Sequence, residues 1–187
     1  MPAGHDRVIV LDRDGTLVID REYLRDPAGL EFMPGAAEGL RRLHAMGYRL
    51  IVATNQSGIG RGLYSVERLH EIHHRLTEMV HAAGAHLSGI YYCPHTPQAG
   101  CACRKPAPGL LLQAAAELGF EPASAIVIGD KSTDIEFGRR VGATTILLAP
   151  HGQAGASSVP ESTKGDHIRP DHTAGDFLEA VQTIRTL

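Results

Sequence analysis

The chain has 187 residues, 43% hydrophobic and 21% charged, with a formal net charge of -3. That length buries a sizeable core without disulfides, and the near-balanced charge excludes an electrostatic case for nucleic acid or a membrane surface as partner. No stretch reaches the ~20 apolar residues of a membrane span, and the apolar run Val8–Leu11 ends too soon in Asp12, Arg13 and Asp14 for a signal peptide. A soluble, cytoplasmic, monomeric protein is therefore expected. The three cysteines all fall between Cys93 and Cys103, which predicts a metal site in a reducing compartment rather than a disulfide framework.

In chain order, Arg7 to Leu11 reads as a buried strand, apolar and β-branched. Ala36 to Met46 reads as a helix after Pro34-Gly35, with Gly47 as its stop. Arg49 to Ala53 is a second strand. Val66 to Ala83 is the clearest helix, with Leu69, Ile72, Leu76, Met79, Val80 and Ala83 in one stripe and Gly84 at its end. The opposite face carries His70, Glu71, His74, Glu78 and His81. The i, i+4 pair His70 and His74 could bind a metal, but a solvated face accounts for it. Ser88 to Tyr92 is a third strand, and Pro108 to Leu118 a helix that begins on proline and stops at Gly119. Ala125 to Ile128 is a fourth strand, Thr133 to Val141 a helix capped by Ser132, and Thr144 to Leu148 a fifth strand. Residues 151–166 read as a mobile Gly/Ser/Pro-rich loop, and Phe177 to Ile184 as a closing helix.

This alternation predicts an α/β fold: a Rossmann-like parallel sheet with helices on both faces, in one domain over residues 1–187. Ligands in such sheets lie beyond the carboxyl ends of the strands. The polar clusters obey that rule: Asp12 and Asp14 after the first strand, Thr54 and Asn55 after the second, and Asp130 after the fourth.

Leu11-Asp12-Arg13-Asp14-Gly15-Thr16 is the most informative stretch. A carboxylate is ionised at pH 7 and can attack phosphorus without a base, provided that a divalent cation and a Lys relieve the repulsion between anions. A second Asp can protonate the leaving oxygen and then activate water. Thr54-Asn55-Gln56-Ser57-Gly58 offers a hydroxyl, an amide and backbone N–H groups; Arg104-Lys105-Pro106 offers cations; Gly129-Asp130-Lys131-Ser132-Thr133-Asp134 offers more carboxylate. Each has a dull explanation alone, as a turn, a solvated Lys or a helix cap. Together, each near a strand end, they point to phosphate chemistry.

With these motifs the chain resembles the haloacid dehalogenase superfamily of phosphatases from Val8 to about Ala149. The resemblance implies Asp12 as nucleophile, Asp14 as general acid/base, and Thr54 and Lys105 as holders of the phosphoryl group. It implies magnesium on Asp12, Asp130 and the backbone carbonyl of Asp14, with Asp134 supporting the metal. Asp14 argues against dehalogenation, which has no use for it. Little room remains for a large cap, so the mouth should be open.

Cys93-Pro94-His95 and Cys101-Ala102-Cys103 supply three thiolates and an imidazole, the donor set of a closed, structural zinc site. Such a zinc loop, residues 93–105, would aim Arg104 and Lys105 at the phosphate. Within the superfamily the text resembles a sugar bisphosphate phosphatase branch serving bacterial surface glycans, on Asp20-Arg21-Glu22-Tyr23, TNQSGIGRG (54–62), Tyr91 to His95 and Gly129-Asp130-Lys131. That branch implies a small sugar phosphate as substrate, contacted by Asp20, Arg21, Glu22, Tyr23, Asn55, Gln56, Ser57, Arg104 and Lys131. A histidinol-phosphate phosphatase shares the motifs and zinc loop, and a polynucleotide 3'-phosphatase shares the core. A zinc-stabilised binding module without activity would lack Asp12 or Asp14, and both are present.

Overall fold

The computed structural model describes residues 7–149 and 169–187. The loop expected over residues 151–166 lies outside the described residues. Six strands form one sheet in the order β3-β2-β1-β4-β5-β6, with every neighbouring pair parallel. They are β1 (Val8–Leu11), β2 (Arg49–Asn55), β3 (Leu87–Cys93), β4 (Ile126–Gly129), β5 (Thr144–Leu148) and β6 (His172–Ala174). The helices are α1 (Ala36–Ala45), α2 (Val66–Ala82), α3 (Gly109–Leu118), α4 (Ser132–Arg139) and α5 (Phe177–Ile184).

The two-residue period of a strand sorts its side chains onto two cores. Ile9 and Leu11 of β1 join Leu50, Val52, Ile126 and Ile128 under α1, α2 and α5. Val8 and Val10 face the other way and join Ile51, Ala53 and Val127 under α3 and Phe137 of α4. Burial on both faces explains why the strands read as unbroken apolar runs. No described helix is long and apolar enough to cross a membrane.

The differences from the sequence reading have local causes. β2 continues through Thr54 and Asn55, because β3 pairs with it as far as Thr54↔Tyr92 and Asn55↔Cys93. Those two residues therefore end the strand instead of following it. Ser132 is the first residue of α4 and not its cap; Lys131 holds the cap position, and its N–H donates to Asp134 Oδ2 at 3.1 Å. Strand β6 was not expected. It has three residues and no apolar run, and it is registered by Asp171, whose Oδ2 accepts from Thr145 N (2.8 Å) and Thr145 Oγ1 (2.7 Å).

The strand order turns outward from β1 in both directions, toward β2 and toward β4. That reversal opens a crevice at the carboxyl ends of β1 and β4.

Candidate active site

Asp12 sits in that crevice, one residue past β1, its N–H donating to the Ile128 carbonyl of β4 at 3.0 Å. The next turn is tight. Gly15 has φ +87°, and a Cβ there would stand 2.4 Å from Asp130 Oδ2, so only glycine lets the loop pass this close to β4. Thr16 is fully buried and donates from Oγ1 to Asp130 Oδ1 at 3.2 Å.

Lys105 reaches the same point from the segment before α3. Its ammonium bonds Asp12 Oδ1 at 2.7 Å, Asp134 Oδ1 at 2.6 Å and the Ala53 carbonyl at 2.8 Å, so all three donors are used. The side chain is 4% exposed. Burial by itself would lower its pKa, but the charges of Asp12 and Asp134 outweigh this and raise it, keeping the amine protonated. Asn55 orients this segment: its Oδ1 accepts from Lys105 N at 3.0 Å, and its Nδ2 donates to Lys105 O at 3.1 Å.

Carboxylate oxygens of Asp12, Asp130 and Asp134 lie within 4.8 Å of one another. Lys131 adds only a distant cation, 3.9 Å from Asp130. The excess negative charge has a visible effect. Burial, and then the charge of Asp12, push the Asp130 carboxyl up to about 6. Hard oxygen donors with uncompensated charge fit a divalent cation such as magnesium.

The side chain of Asp14 stands outside that cluster and lines a cleft of about 180 Å³. Arg13 holds it through Nε (3.0 Å) and NH2 (2.9 Å), both to Oδ1, and Gln56 Nε2 donates to Oδ2 at 2.8 Å. Arg13 is 2% exposed. Its NH1 lies 3.4 Å from Nε2 of buried His73, whose pKa is lowered to about 3 by burial and by Arg13 itself. The neutral imidazole thus accepts from the guanidinium. Gln56 Oε1 accepts from Arg13 NH2 at 3.0 Å and from the Tyr64 hydroxyl at 2.8 Å.

The other residues singled out in the sequence divide into two groups. Asp20, Glu22, Tyr23, Asn55, Gln56, Ser57 and Lys131 line the cleft with Asp14. Lys131 Nζ is 3.3 Å from Asp20 Oδ2. Arg21 instead pairs with Glu31 at 2.7 Å on the surface, and the Arg104 guanidinium donates to the His95 carbonyl at 3.1 Å within the cysteine loop. Arg13, Thr16, Tyr64 and His73 were not assigned roles from the sequence. Arg13 and Thr16 were inside a recognised motif, but nothing in their identity signals burial. His70 and His74 lie on the exposed face of α2, with His70 3.1 Å from the Tyr92 hydroxyl.

Beside this site, Cys93, His95, Cys101 and Cys103 bring their donor atoms within 4.8 Å of one another. The sulfur–sulfur separations, 3.1 to 3.5 Å, are far too long for disulfides. Three sulfurs and one imidazole nitrogen at these spacings fit a tetrahedral zinc.

A parallel sheet with a buried carboxylate–lysine cluster at its switch point defines a hydrolase built for phosphoryl groups. The comparisons agree. A family model described as HAD-hydrolase-like matches residues 102–180. The D-glycero-beta-D-manno-heptose-1,7-bisphosphate 7-phosphatase of Pasteurella multocida is 39% identical over 153 residues, covering 79% of this chain and 83% of that one. The D-glycero-D-manno-heptose-1,7-bisphosphate 7-phosphatase of Thermosynechococcus vestitus is 36% identical and covers 95% of each chain. The crystal structure of D,D-heptose 1,7-bisphosphate phosphatase from B. bronchiseptica, complexed with magnesium and phosphate, superposes with a TM-score of 0.81 at 27% identity. It covers 96% of this chain and 98% of that one. The chain belongs to the heptose bisphosphate phosphatase family of HAD-like hydrolases.

Proposed function

We propose that this phosphatase removes the 7-phosphate of D-glycero-D-manno-heptose 1,7-bisphosphate through a phosphoenzyme on Asp12. The observation that carries the mechanism is the buried contact of Asp12 with Lys105 at the crevice, with Asp14 facing the adjoining cleft. The substrate follows from the relatives, which share the family at 36–41% identity.

An Asp12 oxygen attacks phosphorus, and the bond from phosphorus to the sugar oxygen breaks. Asp14, entering this step protonated, gives its proton to the departing alkoxide. It then accepts a proton from a water whose oxygen attacks the phosphoenzyme, and the bond from phosphorus to Asp12 breaks to release inorganic phosphate. Lys105 through its charge, and Thr54 through its hydroxyl, steady the oxygens of the transferring group. Asp12, Asp130 and the Asp14 backbone carbonyl would hold magnesium, which would supply charge compensation at those oxygens. Asp134 supports that site while anchoring Lys105. The sugar lies in the cleft against Asp20, Glu22, Tyr23 and Ser57, and Lys131 and Arg104 are the cations available to the distal phosphate.

Phosphate release from the heptose bisphosphate and from histidinol phosphate tests the substrate. The expected kcat/KM is higher for the bisphosphate, because histidinol phosphate carries an amine and no second phosphate. A charge-assisted hydrogen bond is worth about 1.5–3 kcal/mol, so Arg104→Ala should narrow the preference roughly 10- to 100-fold while affecting p-nitrophenyl phosphate less. A wild-type preference for histidinol phosphate would overturn the substrate.

The cysteine loop should carry one structural zinc per chain. Structural zinc in small peptides contributes roughly 10–16 kcal/mol, but here most of both cores comes from residues outside the cysteine loop, with Cys93 buried in one of them. Cys101→Ser is therefore expected to lose the metal and lower activity through the misplaced Lys105 segment, with the sheet still folded. Elemental analysis of protein purified without chelators checks this, and finding no zinc would refute it.

A further inference from the structure

Gln56 occupies an unusual position for a residue at the edge of a substrate cleft: it is 3% exposed, and its amide contacts four protein groups. The chemistry of those groups permits only one orientation of the amide. Arg13 NH2 can only donate, so the atom facing it at 3.0 Å is the oxygen. With the amide oxygen fixed there, the atom facing Asp14 Oδ2 at 2.8 Å is the nitrogen, which donates to it. The same oxygen takes the Tyr64 hydroxyl proton at 2.8 Å, and the same nitrogen gives its second hydrogen to Thr54 Oγ1 at 2.8 Å. A flipped amide would set a donor against the donor Arg13 NH2 and an acceptor against the Asp14 carboxylate, whereas the Tyr64 and Thr54 hydroxyls would adapt to either orientation.

Two consequences reach the reacting groups. Asp14 is gripped on both oxygens from the protein side, by Arg13 and by Gln56, while its partly exposed carboxylate keeps lone pairs toward the cleft. Thr54 accepts from Gln56, so its own hydroxyl proton is left to donate elsewhere. Tyr64 in turn is packed against Gly58, where a Cβ would stand 2.2 Å from Tyr64 Cε1. The glycine of Ser57-Gly58 thus makes room for the ring that orients Gln56.

We propose that Gln56, locked by Arg13 and Tyr64, is a positioning residue that sets Asp14 and the Thr54 hydroxyl together. The inference rests on the reading of Asp14 as general acid.

The test compares two leaving groups. The heptose bisphosphate releases an alkoxide that needs a proton, and p-nitrophenyl phosphate releases a weakly basic phenolate that does not. Gln56→Glu keeps the acceptor toward Arg13 and Tyr64 but turns an acceptor onto Asp14 and Thr54. With general acid catalysis worth about 10²–10⁴-fold, kcat on the alkyl substrate should fall at least about tenfold further than on the aryl one, with KM within about threefold. In an Asp14→Asn background, Gln56→Glu should not change the ratio further. Tyr64→Phe removes one of the two donors to Oε1 and should shift the ratio the same way by a smaller factor, which keeps the question answerable if Gln56→Glu does not fold. Equal losses on both substrates, a change confined to KM, or an unaltered ratio in Tyr64→Phe would each overturn the inference. Asp14→Asn alone separates the two readings. If it leaves the alkyl-to-aryl ratio unchanged, the role of Asp14 fails; if it lowers the ratio and Gln56→Glu does not, only the positioning role of Gln56 fails.

Discussion

Asp12→Asn is expected to reduce phosphate release to background while leaving the protein folded. The amide keeps the shape of the side chain and an oxygen for Lys105, but it lacks the charge and basicity that attack phosphorus. Loss of a covalent nucleophile elsewhere costs about 10⁶-fold in kcat, and a loss of at least about 10⁴-fold is expected here. The fold should tolerate the change for an electrostatic reason. Asp12, Asp130 and Asp134 face a single buried ammonium, and Lys105 retains Asp134 and the Ala53 carbonyl when Asp12 is neutral. Removing one of three crowded carboxylates also relieves Asp130, whose pKa is raised by burial and by the charge of Asp12. The melting temperature without added metal should therefore hold or rise. Phosphate release and a thermal melt on the same sample check both parts, and turnover within about tenfold of wild type would sink the covalent mechanism.

The sheet was legible because its strands are buried on both faces. Five apolar runs stood out, and the order in which polar clusters followed them placed the crevice correctly. Strand β6 escaped because His172-Thr173-Ala174 carries no pattern; a side chain outside it, Asp171, fixes its place. The boundary of β2 was missed because Thr54 and Asn55 look like turn residues, whereas pairing to Tyr92 and Cys93 keeps them extended. The clustered carboxylates and the cysteine–histidine group could be found by residue type and spacing. Their supports could not. Arg13, lying between two aspartates, carries no sequence signal of burial, yet it is buried against His73, Gln56 and Asp14. Tyr64 and His73 come from the segment around the start of α2 and from its middle, and only the tertiary fold brings them beneath the site. Asn55 shows the converse. Its motif suggested substrate contact, and its amide is engaged by the backbone of Lys105 on both sides.

Lys105 is where stability and chemistry meet, so Lys105→Met should damage both. Methionine can fill the apolar part of the lysine's space and leaves no ammonium. Asp12 and Asp134, 7% and 2% exposed, would then face each other without the cation that now lies 2.7 and 2.6 Å from them. Removing one partner of a buried ion pair typically costs about 3–5 kcal/mol, because the remaining charge is buried without compensation. Asp134 is exposed to that cost, since burial and then the charge of Asp12 raise its pKa, and the charge and hydrogen bond of Lys105, with the Lys131 N–H, oppose the shift. Urea denaturation should therefore show a midpoint far below that of the wild type. Adding Asp134→Asn to Lys105→Met should restore part of the loss, because the substitution removes one stranded charge and its Oδ1 no longer needs an ammonium. Activity should not return with stability. The double variant still lacks the cation that draws Asp12 and the phosphoryl oxygens together, so kcat should remain near background. Recovery of turnover alongside the midpoint would show that Lys105 acts only as a structural counter-ion.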